Sequence, residues 1–182
     1  TYMKDDVSNS PLNNQPDYLN NLTVVTSTRD NIIWVKPFLK SFYQTVSNSD
    51  IPIIIVDAST AENHQALLEL VKDYQNAQVV TSPDTKKHWT TDWEYGIKQC
   101  TTKYILHCHI DIIFLLKHWD AILPELLQTH VIVASGKGDI LLSSFILTTT
   151  DLLAAADCKT CMDHNNNYRE LGSIIRVAHE RG

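Results

Sequence analysis

The stretch YILHCHIDIIF, residues 104–114, sets His107, His109 and Asp111 at alternate positions. Side chains alternate across a strand with a period of two, so the three would share one face. Two imidazoles and a carboxylate on one face are a donor set for a transition metal, the centre of a hydrolase or oxygenase if all three are ligands. Burial argues for a smaller set. A strand in a parallel sheet is covered on both faces, and His107, well inside the run, reads as a hydrogen-bonded packing residue. Asp111 closes the strand, where a buried unpaired carboxylate would be costly and a metal-bound one is not.

Other chemistry-bearing residues are sparse. The chain has five glycines, no P-loop and no G-x-G-x-x-G after its first strand, and GKG at 136–138 is too short to cradle phosphate. Kinase, NTPase and dinucleotide-dependent oxidoreductase readings therefore lose their weight, and any bound phosphate would need a metal ion, Arg or Lys. Cys158-Lys-Thr-Cys161 with His164 has zinc-like spacing but lacks a second pair, and it falls at the end of a helix, where redox motifs do not sit. Ordinary thiols are the reading there. Trp89 and Trp93, with Tyr95 nearby, would stack on a base or sugar, or pack in the core. Asp163 and Glu170 are isolated acids, solvated by default.

At 182 residues and 43% apolar the chain suits one globular domain. A net charge of −6 with 15 dispersed basic residues gives no footprint for a nucleic-acid backbone or anionic membrane. No apolar run reaches the ~20 residues of a membrane span, and no signal pattern opens the chain. Four cysteines are too few for a disulfide framework, so a reducing, cytoplasmic setting is expected. The glycosylation pattern at Asn21 is discounted on the same ground. The chain begins at Thr1 and is read as a fragment of a longer protein.

Residues 1–21 are polar and aperiodic, a tail or linker. Apolar β-branched runs then recur at 22–28, 51–58, 77–82, 103–110 and 130–135. Helical patterns lie between them. Two open on capping boxes, Ser59 to Glu62 and Thr91 to Glu94, and a third either begins or bends at Pro37. This alternation predicts a doubly wound α/β domain, a mostly parallel sheet with helices on both faces. GKGD is too short for a parallel crossover, so ILLSSFILT should enter antiparallel. A final helix is expected within residues 165–182. In such sheets ligands bind beyond the carboxyl ends of the strands, which here carry Ser27 to Asp30, Asp57 to Ser59, Ser82 to Asp84, and His109 to Asp111.

Taken in order, residues 22–182 resemble the family 2 glycosyltransferases and their GT-A relatives. LTVVTSTRDN looks like the family's opening strand, Val56-Asp57-Ala58-Ser59-Thr60 like its second strand end, and WEYGIKQC like the helix before its central motif, with Glu94 where Asn is usual. KYILHCHIDIIFLLKHWDAIL has the shape of the strand, Asp-x-Asp and Trp-containing helix that follow, with His109 in place of the first acid. The resemblance implies a Rossmann-like GT-A fold and a metal-dependent transferase. It would move sugar from a nucleotide-diphosphate donor, UDP-linked rather than GDP-linked, to a hydroxyl of a glycan, lipid or protein acceptor. It assigns the nucleotide to Thr26, Ser27, Thr28, Arg29 and Asp57, and donor or acceptor contacts to Trp89, Trp93 and Glu94. It also implies a Mn²⁺ (or Mg²⁺) site at His109 and Asp111, with His179 as a further ligand. Since imidazole suits Mg²⁺ poorly, Mn²⁺ is the expected ion. Asp163 is the implied catalytic base, with Asp139 and Glu170 as rivals. The alternative is a non-catalytic nucleotide-sugar or glycan-binding domain with an eroded Asp-x-Asp.

Overall fold

The computed structural model describes residues 19–83, 89–123, 125–126, 132–137, 140–155, 161–162 and 168–169. Its six-stranded sheet is built from β1 (Leu22–Thr28), β2 (Ile53–Asp57), β3 (Ala77–Thr81), β4 (Tyr104–Cys108), β5 (Ile132–Lys137) and β6 (Ile140–Thr149). Their order is β3-β2-β1-β4-β6-β5. The first four pair in parallel, and β6 enters antiparallel between β4 and β5. Only two residues separate β5 from β6, a link that can join antiparallel neighbours alone.

The helices that flank the sheet include α1 (Val35–Thr45), α2 (Ala61–Val71), α3 (Trp89–Ile97) and α4 (Thr150–Ala155). Pro37 is the third residue of α1, where the missing N–H is one the first turn leaves unbonded, so the helix begins before it and is not bent by it. α3 already includes Trp89, so Thr91 lies inside the helix and does not start it. At α2 the cap is Thr60, and neither it nor Ser59 supplies a side-chain cap bond to the helix; an aspartate from another loop does.

The helices divide the sheet faces by parity. Leu22 and Val24 of β1, Ile53 and Ile55 of β2, and Leu106 and Cys108 of β4 join Phe38, Leu39 and Phe42 of α1 and Leu67 and Val71 of α2 in one apolar core. α3 packs on the opposite face through Gly96. A Cβ there would stand 2.6 Å from Val25 Cγ1 and 2.7 Å from Val56 Cγ2, so only glycine lets the helix come this close.

β4 ends at Cys108, two residues short of the strand expected from the sequence, and Ile112 N–H donates to the His109 carbonyl (3.3 Å) to close a turn. The chain is then anchored to α1. Phe114 packs edge-on to Phe38 and Phe42 and stacks on Trp119 at 4.8 Å, while its N–H donates to Ser41 Oγ (3.1 Å). Buried Asp120 accepts the Ser47 N–H (2.8 Å) and fixes the 3-10 turn Trp119–Ile122.

β7 (Cys161–Met162) and β8 (Tyr168–Arg169) form a separate antiparallel pair. Tyr168 and Arg169 are therefore strand, not part of the helix expected over 165–182. The rest of that stretch from residue 170, and residues 1–18 of the polar tail, lie outside the described residues. Among the described residues no helix is long and apolar enough to cross a membrane.

Candidate functional site

Successive connections place β2 and β3 on one side of β1 and β4 on the other, so the carboxyl ends of β1 and β4 flank the point where strand order reverses. Such a point leaves a crevice, because the two connections depart in opposite directions. A cleft of about 210 Å³ lies there, lined by Ser27, Asn31, His109, Ile110 and Asp111. The fold thus brings Ser27 of β1 together with His109 and Asp111 of the segment after β4. Asn31 was not anticipated; its only signal is a polar residue in the loop that closes β1.

The turn after Cys108 changes the geometry of the His/Asp stretch. Period-two alternation holds for His107 but not beyond it, so His109 and Asp111 are aimed by a turn and not by the strand. Asp111 is exposed and His109 half-buried. Burial pulls the His109 pKa below its ordinary value, with Asp111 acting in the opposite direction, so the neutral ring is favoured. A neutral imidazole keeps a lone pair for a cation.

His107 is 2% exposed and packs under Trp93, ring centroids 4.4 Å apart. Its ring lies 5.8 Å from that of His109. Among the described residues neither His107 nitrogen has a hydrogen-bond partner, which differs from the expected hydrogen-bonded role; burial, aided by His109, pushes its pKa down to about 3 and keeps it uncharged. Among the described residues no three His, Cys, Asp or Glu side chains form a metal-holding group. The three-ligand centre is therefore not assembled. His109 and Asp111 remain a two-donor set, which fits a cation that takes its other ligands from a bound diphosphate and water.

A second polar group flanks the cleft. Arg29 donates to Asp92 at 3.4 Å, and Asp92 is 1% exposed. Burial raises the Asp92 pKa, against hydrogen bonds from Ser82 and Arg29 that lower it. Asp92 is a site neighbour that sequence reading passed over in favour of Trp93 and Glu94 beside it. Trp93 is 2% exposed and faces the sheet, Glu94 is half-buried, and the side chain of Trp89 lies outside the described residues.

On the α1/α2 side, Thr26 and Thr28 are buried, their hydroxyls without hydrogen-bond partners among the described residues. Asp57, 1% exposed at the end of β2, has both oxygens engaged: Oδ1 accepts the Ser59 N–H at 3.0 Å and Oδ2 lies 2.6 Å from His64 Nδ1 of α2. Beside it Asp30, in the left-handed region at φ 56°, accepts from Thr60 N–H (2.8 Å), Thr60 Oγ1 (3.1 Å) and Asn63 Nδ2 (2.8 Å). Its own N–H donates to Ser59 Oγ (2.8 Å). These reciprocal bonds lock the loop carrying Asn31 onto the start of α2. His64 and Asp30 carried no signal in the sequence beyond their place near strand ends. Asp163, His179, Asp139 and Glu170 lie outside the described residues.

The fold is that of the GT-A glycosyltransferases of nucleotide sugars. The mannosyltransferase PcManGT of Pyrobaculum calidifontis, in complex with GDP-Man and Mn²⁺, superposes with a TM-score of 0.70 at 13% identity, over 87% of this chain and 52% of its own. S. aureus TarS residues 1–349 in complex with UDP-GlcNAc gives 0.66 at 10%, over 87% and 53%. The glycosyltransferase GlyE of Streptococcus pneumoniae gives 0.59 at 15%, over 85% and 42%. This chain thus spans about half the length of the solved structures it resembles. No sequence-family description and no curated protein sequence matches it.

Proposed function

We propose that this chain is the donor-binding part of a glycosyltransferase that moves a sugar from a nucleoside-diphosphate sugar to a hydroxyl acceptor with the help of a divalent cation. The observation that carries the reading is the convergence of Ser27, Asn31, His109 and Asp111 on one cleft at the reversal point of a GT-A sheet. The co-crystallised donors of its structural neighbours, GDP-Man and UDP-GlcNAc, support a nucleotide-sugar ligand of either base.

In this reading the nucleoside lies over the ends of β1 and β2, in the region of Thr26 to Arg29 and Asp57, and the diphosphate lies toward His109 and Asp111. Bound there, a cation such as Mn²⁺ neutralises charge on the departing diphosphate. The chain's own residues set the rest. Asp111 and His109 would hold the ion, with His179 as a further ligand. The Asp30 bonds keep the Asn31 wall in place before a donor arrives, which lowers the ordering cost of binding. Trp89 and Glu94 are assigned to donor or acceptor contact. Trp93, buried against His107, faces the sheet and is left out of this set.

Transfer forms a bond from the acceptor oxygen to the anomeric carbon while the bond from that carbon to the diphosphate oxygen breaks. In an inverting transfer the acceptor proton goes to a protein base, and Asp163 is the residue proposed for it. The test is transfer or hydrolysis of UDP- and GDP-sugars by the full chain with Mn²⁺. Turnover abolished by Asp163→Asn with donor binding intact supports the reading. Donor binding without turnover would favour the non-catalytic alternative, and a folded chain that binds no donor would overturn both.

A further inference from the structure

We propose a second binding site, for a neutral oligosaccharide, on the α3 face at the amino-terminal end of the sheet. α3 spans only nine residues, Trp89–Ile97, and it covers Val25 and Val56 but stops short of the strand starts. The uncovered surface is a cleft of about 380 Å³, within the ~300–1,000 Å³ range of small-ligand sites. Thr23, Ile54 and Gln78 line it from three neighbouring strands, with Ile54 registered on Gln78 and on Val25.

Its lining chemistry selects the ligand. Gln75, Asn76, Gln78, Gln99, Thr101 and Thr102 all face it, and among the described residues no lining residue is charged, in a chain where 20% of residues are. A carboxamide offers both donors and an acceptor, and a hydroxyl offers one donor with acceptor capacity, which suits the hydroxyls of a sugar. The absence of charge disfavours phosphates, carboxylates and basic peptides. Pro52, Ile54 and Ala77 give apolar surface for the C–H face of a pyranose.

The walls are set before any ligand arrives. Asn76 Nδ2 donates to the Ser49 carbonyl at 3.0 Å, Asn76 accepts the Ile53 N–H at 2.8 Å, and the Thr102 and Thr23 hydroxyls are 2.7 Å apart. Thr23 and Ser27, each lining one of the two clefts, are four residues apart in β1, about 13 Å at ~3.3 Å per residue. The site is therefore separate from the donor cleft, and its occupancy is independent of the nucleotide.

The experiment is ligand-observed NMR titration of the full chain with cellotetraose, mannotetraose and chitotetraose. At least one should bind with Kd on the order of 1 mM or tighter. Binding should be unchanged by saturating UDP with Mn²⁺ and by Asp111→Ala, and weakened at least tenfold by Gln78→Leu with Gln99→Leu. Circular dichroism and the melting midpoint confirm that the variant is folded. If the double variant does not fold, Thr101→Arg, which places a bulky cation at an exposed lining position, must weaken binding by the same factor. Absence of binding by all three probes would overturn the proposal. So would binding that UDP displaces, or binding that survives the lining substitutions.

Discussion

Asp30 caps a helix whose N-cap residue, Thr60, lies thirty residues further along the chain: its Oδ1 accepts the Thr60 N–H at 2.8 Å, and its own backbone sits in the left-handed region at φ 56°. The helix start expected to close itself, Ser59 with Glu62, is instead closed by the loop that forms a wall of the cleft. Loop and helix therefore stabilise each other, and loss of the aspartate should be felt in both.

The acid limb of stability should report this. The Asn63 amide, followed by the Thr60 N–H, holds the Asp30 carboxyl below its ordinary value of 3.8. A lowered folded pKa contributes stability that is present above the unfolded value and lost as pH falls through the folded one. Wild type should thus lose stability below about pH 4, and Asp30→Ala should melt lower at neutral pH while showing a shallower loss in acid. Thermal melts from pH 7 to pH 2 measure both; parallel curves would contradict the cap.

Asp57 and His64 give a second expectation. With Oδ2 at 2.6 Å from His64 Nδ1 and Oδ1 on the Ser59 N–H, the buried carboxylate has both oxygens supported. His64→Ala leaves Oδ2 without this partner, which should cost about 1–3 kcal/mol in urea unfolding at pH 7. The double variant Asp57→Ala/His64→Ala should cost clearly less than the sum of the two single changes, since neighbours in one bond do not add. Additive losses would show that the pair is not coupled.

Asp92 should behave in the opposite sense. Burial raises its pKa, so its ionised form is disfavoured in the folded chain, and its contribution to stability grows as pH falls through the folded value. Asp92→Asn keeps the shape and removes the charge, and it should leave the neutral-pH melting point unchanged or raised. A large drop would mean that the bond to Arg29 outweighs desolvation.

Gly96→Ala sets two effects against each other. Alanine favours a helix interior over glycine by about 1 kcal/mol, but the added carbon would stand 2.6 and 2.7 Å from valine methyls fixed in β1 and β2. Overpacking of this kind costs about 1–3 kcal/mol, so the net change should be destabilising. A stabilised variant in denaturant titration would place α3 further from the sheet than described.

Much of this architecture was legible in the sequence, for identifiable reasons. The parallel strands announced themselves because a doubly covered strand must be apolar on both faces, as IPIIIVD is. The β5–β6 hairpin followed from a link too short to cross over. Long-range polar bonds were not legible: nothing local tells that Asp30 meets Thr60, that His64 meets Asp57, or that Asp92 pairs with Arg29 rather than facing water. The His/Asp stretch was half read. Strand periodicity grouped His107 with His109 and Asp111, but the turn after Cys108 breaks the period, so His107 goes under Trp93 while the other two reach the cleft.

The account rests most directly on Asp111 and the cleft it lines. Titration calorimetry of the full chain with UDP-GlcNAc and with GDP-mannose, each with and without Mn²⁺, compares wild type with Asp111→Ala. The account predicts Mn²⁺-dependent binding of at least one donor by wild type and its loss, at least tenfold, in a folded Asp111→Ala chain. Equal affinity in the variant, or no binding of either donor by folded wild type, would contradict it.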